Sequence, residues 1–455
     1  PPPSIGVQST NPDAGSPTMM AGPTTRPSAP MDGTAIEQTL VLTFSGRGNG
    51  GTQRCRVPRV GLLLGRDAVV FDEPFHDARM SPRHAEVRIE EGRVLVRDLG
   101  SETGTRLNGQ LLTGDRVLEA GDVLRLADTL LVYAPSVPGS GIAEPELVGT
   151  SAAMVAVRKS VDAVAARKHM VVITGETGTG KEVVARLVHQ RSGRTGPFVA
   201  VNCGTFTEGL VASDLFGHVR GAFTGAVSDQ QGLFRAARGG TLLLDEIAEI
   251  PLVLQANLLR VLEMSEVRPV GGTRDFATDV RVIATSNREM VDLVQAGRFR
   301  ADLYSRLAQW TIRVPPLRER RDDIPALTSH LLARCDGEGL KVTPDLAEAL
   351  LVHDWPLNVR GLLTVLSVAV VATPPDEPLS LGAEVRMALR TTRSMVVENV
   401  KKTESAVLDK ADLTRLMERF HGKVAAAARE LGITRPKLYR LLWAQDIDPA
   451  LFREA

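Results

Sequence analysis

Gly175-Glu176-Thr177-Gly178-Thr179-Gly180-Lys181 decides the fold of the middle of this chain. It follows the apolar run Val171–Ile173 and precedes the helical run Glu182–His189, so a strand, a glycine-rich turn and a helix succeed one another. Glycines let a backbone wrap closely around phosphate oxygens, the helix N-terminus favours the anion, and Lys181 reaches β- and γ-phosphates. Read alone, the turn is equally a tight loop, because Glu182 stands where Ser or Thr usually meets Mg2+. A second piece follows. Thr241-Leu242-Leu243-Leu244 reads as a buried strand ending in Asp245-Glu246, and such sheets bind ligands at the C-terminal ends of their strands. Asp245 suits the water shell of Mg2+, and Glu246 suits polarising an attacking water. With Phe198–Val201 and Val280–Ala284 as further strands between helical runs, the pattern is a parallel sheet covered on both faces. After Ile324 only helices are expected.

Working outward, composition bounds the rest. The chain has 455 residues, enough for about three domains. Lys+Arg and Asp+Glu are both 54, which excludes a wholly basic nucleic-acid coat and a wholly acidic tail. Cys55, Cys203 and Cys335 show no metal or disulfide spacing, which fits a reducing cytoplasm. No apolar run approaches the ~20 residues of a membrane helix. Of the first 34 residues, 21 are Pro, Gly, Ser or Thr, so 1–34 reads as a disordered leader. The opening Pro-Pro-Pro without Met reads as a trimmed start. Short strand-like runs then follow at Thr39–Phe44, Val60–Leu64, Ala85–Ile89, Val94–Leu99 and Val123–Tyr133, with Glu91-Gly92 as a hairpin turn. They predict an all-β sandwich over 35–134, followed by a Pro/Gly-rich linker at 135–146.

The stretch Asp214–Ala226, ending Gly221-Ala222-Phe223-Thr224-Gly225-Ala226, resembles the hallmark of the AAA+ activators of sigma-54 RNA polymerase, the bacterial enhancer-binding proteins. The resemblance runs over about 147–371, and the Gly-Lys-Glu ending of the phosphate loop is part of it. It implies an α/β ATPase subdomain at 147–320 and a helical lid at 321–372. It also implies ATP and Mg2+ as cofactors and the loop Gly221–Ala226, with Phe223 and Thr224 exposed, as the sigma-54 contact. By the same resemblance Asn202 is a switch residue restraining Glu246, and Asn287 a sensor of the γ-phosphate. Arg300 and Arg306 match arginines that a neighbouring subunit inserts into the site, which implies a homo-oligomeric ring. Arg360, in Trp355-Pro356-Leu357-Asn358-Val359-Arg360-Gly361-Leu362, matches a second sensor. Two positions depart from the family pattern: Leu357 replaces Gly and Gly361 replaces Glu.

In the sandwich, Gly65-Arg66, Ser81-Pro82-Arg83-His84 and Asp98–Thr105, followed by Leu107-Asn108-Gly109, resemble a forkhead-associated (FHA) phosphopeptide-binding domain. Arg66, Ser81 and Arg83 have the chemistry to hold a phosphate. Thr103, where the family has Asn, and Asn108 complete the implied peptide site, and His84 reads as a structural prop. A linker is expected at 373–404. In 405–455, the runs Asp412–Phe420, Val424–Leu431 and Arg435–Ala444 read as three helices with a break at His421-Gly422 and a turn at Gly432–Thr434. The segment 421–445 carries five Lys/Arg against Glu430 and resembles the Fis-type helix-turn-helix tail of the same activators. Thr434, Arg435, Lys437 and Arg440 are its candidate DNA contacts.

The expectation is an ATP-dependent activator that binds enhancer-like DNA, remodels sigma-54 RNA polymerase and is gated by a phosphothreonine-containing protein or Ser/Thr kinase through the FHA domain. It is expected to be cytoplasmic, without a membrane partner. Two alternatives stand beside it: a phosphopeptide-binding DNA scaffold with a decayed ATPase, and an AAA+ remodeller or repressor independent of sigma-54.

Overall fold

The computed structural model describes residues 37–45, 53–71, 75–135, 146–205, 210–392 and 410–422, with scattered positions beyond. The expected leader and nearly all of the expected linker 135–146 lie outside the described residues, as do Thr434, Arg435, Lys437 and Arg440.

The N-terminal part is an antiparallel β-sandwich. One sheet has the order Gln53–Arg56, Thr39–Phe44, Thr129–Tyr133, Val123–Leu126, Thr105–Leu107, Gln110–Leu111, and the other the order Leu62–Leu64, Ala85–Glu90, Arg93–Asp98, Arg116–Val117. The turn Glu91-Gly92 has φ of 49° and 78°, the paired positive values that match the twist of a two-residue hairpin. Val123–Tyr133, expected as one run, is two strands; Ala127 with φ 54° turns the chain between them.

The middle part is a five-stranded parallel sheet in the order Phe198–Asn202, Thr241–Asp245, Arg281–Ser286, Val171–Thr174, Trp310–Arg313. Strand periodicity sends successive side chains to opposite faces, and both faces are dry. Ile173, Leu243 and Ile283 pack with helices Ala152–Ala165 and Lys181–Gln190, while Val172, Leu242, Leu244, Val282 and Ala284 pack with Leu252–Met264 and Ala301–Leu307. The phosphate-loop strand is internal, flanked by Arg281–Ser286 and Trp310–Arg313, so its C-terminal end opens between neighbours on both sides.

Helices Ile324–Leu332, Pro344–Val352 and Asn358–Ala372 form the lid around Trp355, which is fully buried. The lid continues past 372, where a linker was expected. Leu379 forms a parallel bridge to Val342, residues 383–392 are helical, and Val385 is buried. The prolines at 374, 375 and 378 shape a turn inside the lid rather than a tether.

The sandwich and the lid share a core. Along Thr129–Tyr133, Leu131 and Tyr133 enter the sandwich interior, whereas Leu130 and Val132 enter a cluster with Ile324, Leu327, Leu331, Leu350 and Leu351. Phe44 and Val123 join that second cluster, while Leu42 and Leu124 join the first. The outer face of the six-stranded sheet is therefore buried, not solvated.

At the C-terminal end, helix Lys410–Arg419 stops at His421-Gly422, both at positive φ. Leu413 and Met417 pack with Val424, Ala427, Leu438, Leu442 and Ile447.

Leu130→Asp places an unpaired carboxylate in the shared cluster. Calorimetry on the full chain is expected to show one joint transition of sandwich and lid in the wild type and two separated transitions in the variant, with a loss above about 3 kcal/mol. One unshifted transition contradicts the shared core.

Candidate functional site

The phosphate loop closes the strand Val171–Thr174 and opens the helix Lys181–Gln190, with Gly180 as its left-handed cap. Lys181 is 9% exposed, and its Nζ donates to the carbonyls of Gly175 (2.9 Å) and Glu176 (3.1 Å), curling the loop around itself. Burial lowers its pKa, opposed by the charges of Asp245 and Glu246. Those carboxylates are therefore near enough to the ammonium for their charges to act on it. Gly178 has φ +77°, and a Cβ there would meet the Leu357 carbonyl oxygen at 2.3 Å, so the loop presses directly on the lid. Glu182 is half-exposed and pairs with Arg186 one turn along its helix at 2.7 Å.

Parallel pairing sets Asn202 opposite Asp245. Thr285, fully buried on the next strand, donates its hydroxyl to Asp245 and accepts the Glu246 N–H at 3.0 Å. Glu246 sits at φ 54°, a left-handed conformation that turns it out of the strand. Asn202 Oδ1 accepts the Gly204 N–H at 2.7 Å, and a Cβ on Gly204 would lie 3.1 Å from that oxygen and 3.4 Å from Glu246 Oε2. Asn202 and Glu246 thus face each other across Gly204. Asn287 Nδ2 reaches Thr177 Oγ1 at 3.4 Å, bringing the end of the strand Arg281–Ser286 onto the phosphate loop. Arg300 forks Asp302, and Arg306 donates to the Leu262 carbonyl at 3.1 Å.

Several residues at the junction into the lid and on its helix Asn358–Ala372 tie the loop to the lid. Arg318 holds Glu176 through two bonds of 2.8 and 2.6 Å, and this hydrogen bonding is the main cause that lowers the Glu176 pKa. Asn358, fully buried, donates to Glu176 Oε2 (3.2 Å) and the Thr177 carbonyl (3.0 Å) and accepts from Leu317 N–H (2.7 Å). Arg320, 2% exposed, donates to the Thr179 carbonyl at 2.9 Å. Val359 N–H meets the Gly178 carbonyl at 3.0 Å, leaving Arg360 beside Gly178 and near enough to Lys181 for its charge to lower that pKa. A Cβ on Gly361 would lie 3.2 Å from the Leu357 Cβ and 3.6 Å from Trp355. The large residue at 357 and the absent side chain at 361 therefore compensate each other.

The loop Gly221–Ala226 is closed by Gly221 N–H on the Ala226 carbonyl at 2.9 Å. Thr224 is exposed as expected. Phe223 is only half-exposed, edge-on to the buried ring of His218 at 5.0 Å between centroids.

In the sandwich, Asp98 caps the loop that follows it, accepting from Gly100, Ser101 and Thr105. Arg66 N–H donates to the Ser81 carbonyl at 3.1 Å, and Ser81 Oγ accepts from Glu102 N–H at 3.1 Å, so three loops converge. Arg83 and Thr103 are exposed beside them, and the Arg66 side chain is partly exposed near Asp67. His84 is fully buried between Ser81 and Gly104, its pKa lowered by that burial. Asn108 is placed differently from its expected role: its amide is engaged internally with Asp122 Oδ1 (2.7 Å) and Val123 N–H (2.9 Å).

Family models match four segments: the sigma-54 interaction domain over 147–313, the FHA domain over 62–127, the AAA+ ATPase lid domain over 318–386, and the bacterial regulatory protein, Fis family, over 406–442. The transcriptional regulatory protein GlrR of Escherichia coli K12 is 41% identical over 290 residues, covering 62% of this chain and 64% of that protein. The regulatory protein AtoC of the same strain is 39% identical over 321 residues, covering 67% and 68%. The chain thus spans about two thirds of the length of these curated relatives. The crystal structure of NtrX from Brucella abortus in complex with ATP is 33% identical and covers 67% of this chain and 70% of that one, with a TM-score of 0.49.

Gly361→Glu is expected to crowd Leu357 and lower stability by about 1–3 kcal/mol. Adding Leu357→Gly should recover much of the loss, a non-additivity that a double-mutant cycle of thermal unfolding measures.

Proposed function

The chain belongs to the sigma-54 interaction-domain family of transcriptional regulators, and on that premise we propose that it is an ATP-driven activator of sigma-54 RNA polymerase. The observation that carries the reading is the meeting of Lys181, Asp245, Glu246 and Asn287 at one end of the parallel sheet, in a chain that also bears the complete loop Gly221–Ala226.

ATP enters with its phosphates on the loop Gly175, Glu176, Thr177, Gly178, Thr179 and Gly180, where Lys181 exchanges its two carbonyl partners for phosphate oxygens. Among the described residues no three His, Cys, Asp or Glu gather as a metal cage. The hard oxygens of Asp245 would hold the water shell of Mg2+, and the ion would neutralise charge on the phosphates. Glu246 orients the attacking water, and Asn202 across Gly204 is the residue that can draw it aside. Arg300 and Arg306 act on the phosphates of a neighbouring subunit in a homo-oligomeric ring, stabilising charge in the transition state. Arg360 reads nucleotide from the lid side.

Turnover moves the loop Gly221–Ala226 against sigma-54, with Phe223 leaving His218 as it engages. The FHA domain binds a phosphothreonine-containing protein through Arg66, Ser81 and Arg83, with Thr103 at the rim and Asn108 shaping the loop. The C-terminal segment binds enhancer DNA through Thr434, Arg435, Lys437 and Arg440.

The test is open-complex formation by sigma-54 polymerase on a supercoiled template with ATP. Thr224→Ala is expected to keep hydrolysis within about twofold and lose open complexes, because it removes a contact made outside the ATP site. Lys181→Ala is expected to lose both. Hydrolysis without open complexes in the wild type, with phosphopeptide present, favours a remodeller independent of sigma-54; no hydrolysis favours a scaffold. For the tail, Lys437→Ala with Arg440→Ala is expected to weaken DNA binding and flatten its salt dependence. Unchanged binding sinks that assignment.

A further inference from the structure

The FHA domain does more than lean on the lid. Arg54, on the edge strand Gln53–Arg56, is 18% exposed, and its Nη2 donates both to Asp322 Oδ2 at 2.8 Å and to the Thr150 carbonyl at 3.1 Å. Thr150 belongs to the segment that opens the α/β subdomain, and Asp322 to the turn that opens the lid. One FHA guanidinium therefore bridges the two halves of the ATPase at their hinge.

The same hinge is tied from within. Asp323 accepts from Thr150 N–H (2.6 Å), Ser151 N–H (2.8 Å) and Ser151 Oγ (2.6 Å), so the α/β entry segment and the lid turn are joined at residues next to those Arg54 holds. A Cβ on Gly149 would lie 2.7 Å from the Asp323 carboxylate, which leaves this joint no slack. Arg320, two residues from Asp322, carries the contact to the Thr179 carbonyl in the phosphate loop. Asp322 and Asp323 both favour its buried positive charge. Asp322 is itself 4% exposed; burial and its neighbour Asp323 push its carboxyl up, and Arg54 opposes them. Arg321 adds a bond to the Gly121 carbonyl of the FHA domain at 3.0 Å. Elsewhere on the interface, Arg125 reaches Asp345 and Glu348, both at 2.7 Å, but those partners lie on one lid helix and do not cross the hinge.

We propose that Arg54 is a positioning residue of the ATPase, and that through it the FHA domain fixes the angle between lid and α/β subdomain and so the grip of the phosphate loop on nucleotide. The proposal rests on the ATP-driven reading above. It predicts a specific asymmetry: losing Arg54 changes nucleotide affinity, whereas losing Arg125 changes only the stability of the interface.

The experiment measures ATP-hydrolysis kinetics and ADP affinity on the full chain. Arg54→Ala is expected to raise KM for ATP and Kd for ADP about fivefold with kcat within about twofold, the size of effect seen when a coupling contact is removed. Arg125→Ala is expected to lower Tm while leaving KM within about twofold. Arg54→Ala combined with Asp322→Asn should be less impaired than Arg54→Ala alone, because no buried carboxylate is then left unpaired. Should Arg54→Ala not fold, Arg54→Met decides the matter: it keeps the aliphatic stem but neither of the two bonds, and a wild-type KM in that variant overturns the proposal. A folded Arg54→Ala with wild-type affinities overturns it too, as does an equal rise in KM for Arg125→Ala. Wild-type protein that neither binds ADP nor hydrolyses ATP overturns the function itself, a result separable from any ratio between variants.

Discussion

The bond that the rest of the molecule depends on is the one between the phosphate loop and the lid, made by Glu176 with Arg318 and Asn358. A glycine-rich loop has no fixed shape of its own, because each glycine adds conformational freedom that folding must remove. Here the removal is done from outside. Asn358 is fully buried and uses its amide on Glu176, Thr177 and Leu317 at once, so a displacement of the lid helix is felt at the loop backbone. The partly exposed ion pair counts for less as energy than as geometry, since its two-pronged form admits few orientations.

That dependence gives the buried sheet face its meaning. A sandwich with one solvated face would move freely against its neighbour, but Leu130, Val132, Phe44 and Val123 are as dry as the core on the other side of the same strands. The loop 100–104 runs directly into the strand Thr105–Leu107, where Arg106 lies 3.7 Å from Glu348 of the lid. Loop, shared core and lid are contiguous matter.

The parallel sheet, the phosphate loop and the acidic strand end were legible because their signals are local: a period of two, a glycine spacing, a carboxylate pair. Other features were not local. Thr129-Leu-Leu-Val-Tyr133 carried the clue to a second covered face, since a half-solvated strand alternates and this one does not; it was read as one long strand instead of half of a hairpin. The prolines at 374, 375 and 378 give residues 373–392 the look of a tether, while Leu379 and Val385 take their places only from the fold. Arg54, Arg318 and Asn358 have partners about 100 to 270 positions away or across a domain boundary, which no window of sequence displays. The departures at 357 and 361 looked like two defects and are one compensated change, visible only once Leu357 Cβ is seen beside Gly361.

The sheet buried on both sides also bears on how such a chain can change over generations. Input modules are often thought of as interchangeable cassettes, joined to a motor by a string. Cutting this one away between 135 and 146 would leave Ile324, Leu327 and Leu351 facing water, and grafting a foreign sandwich would require it to match their contour. Sandwich and ATPase are therefore bound to vary as a pair, each substitution on one side of the seam narrowing what the other can accept.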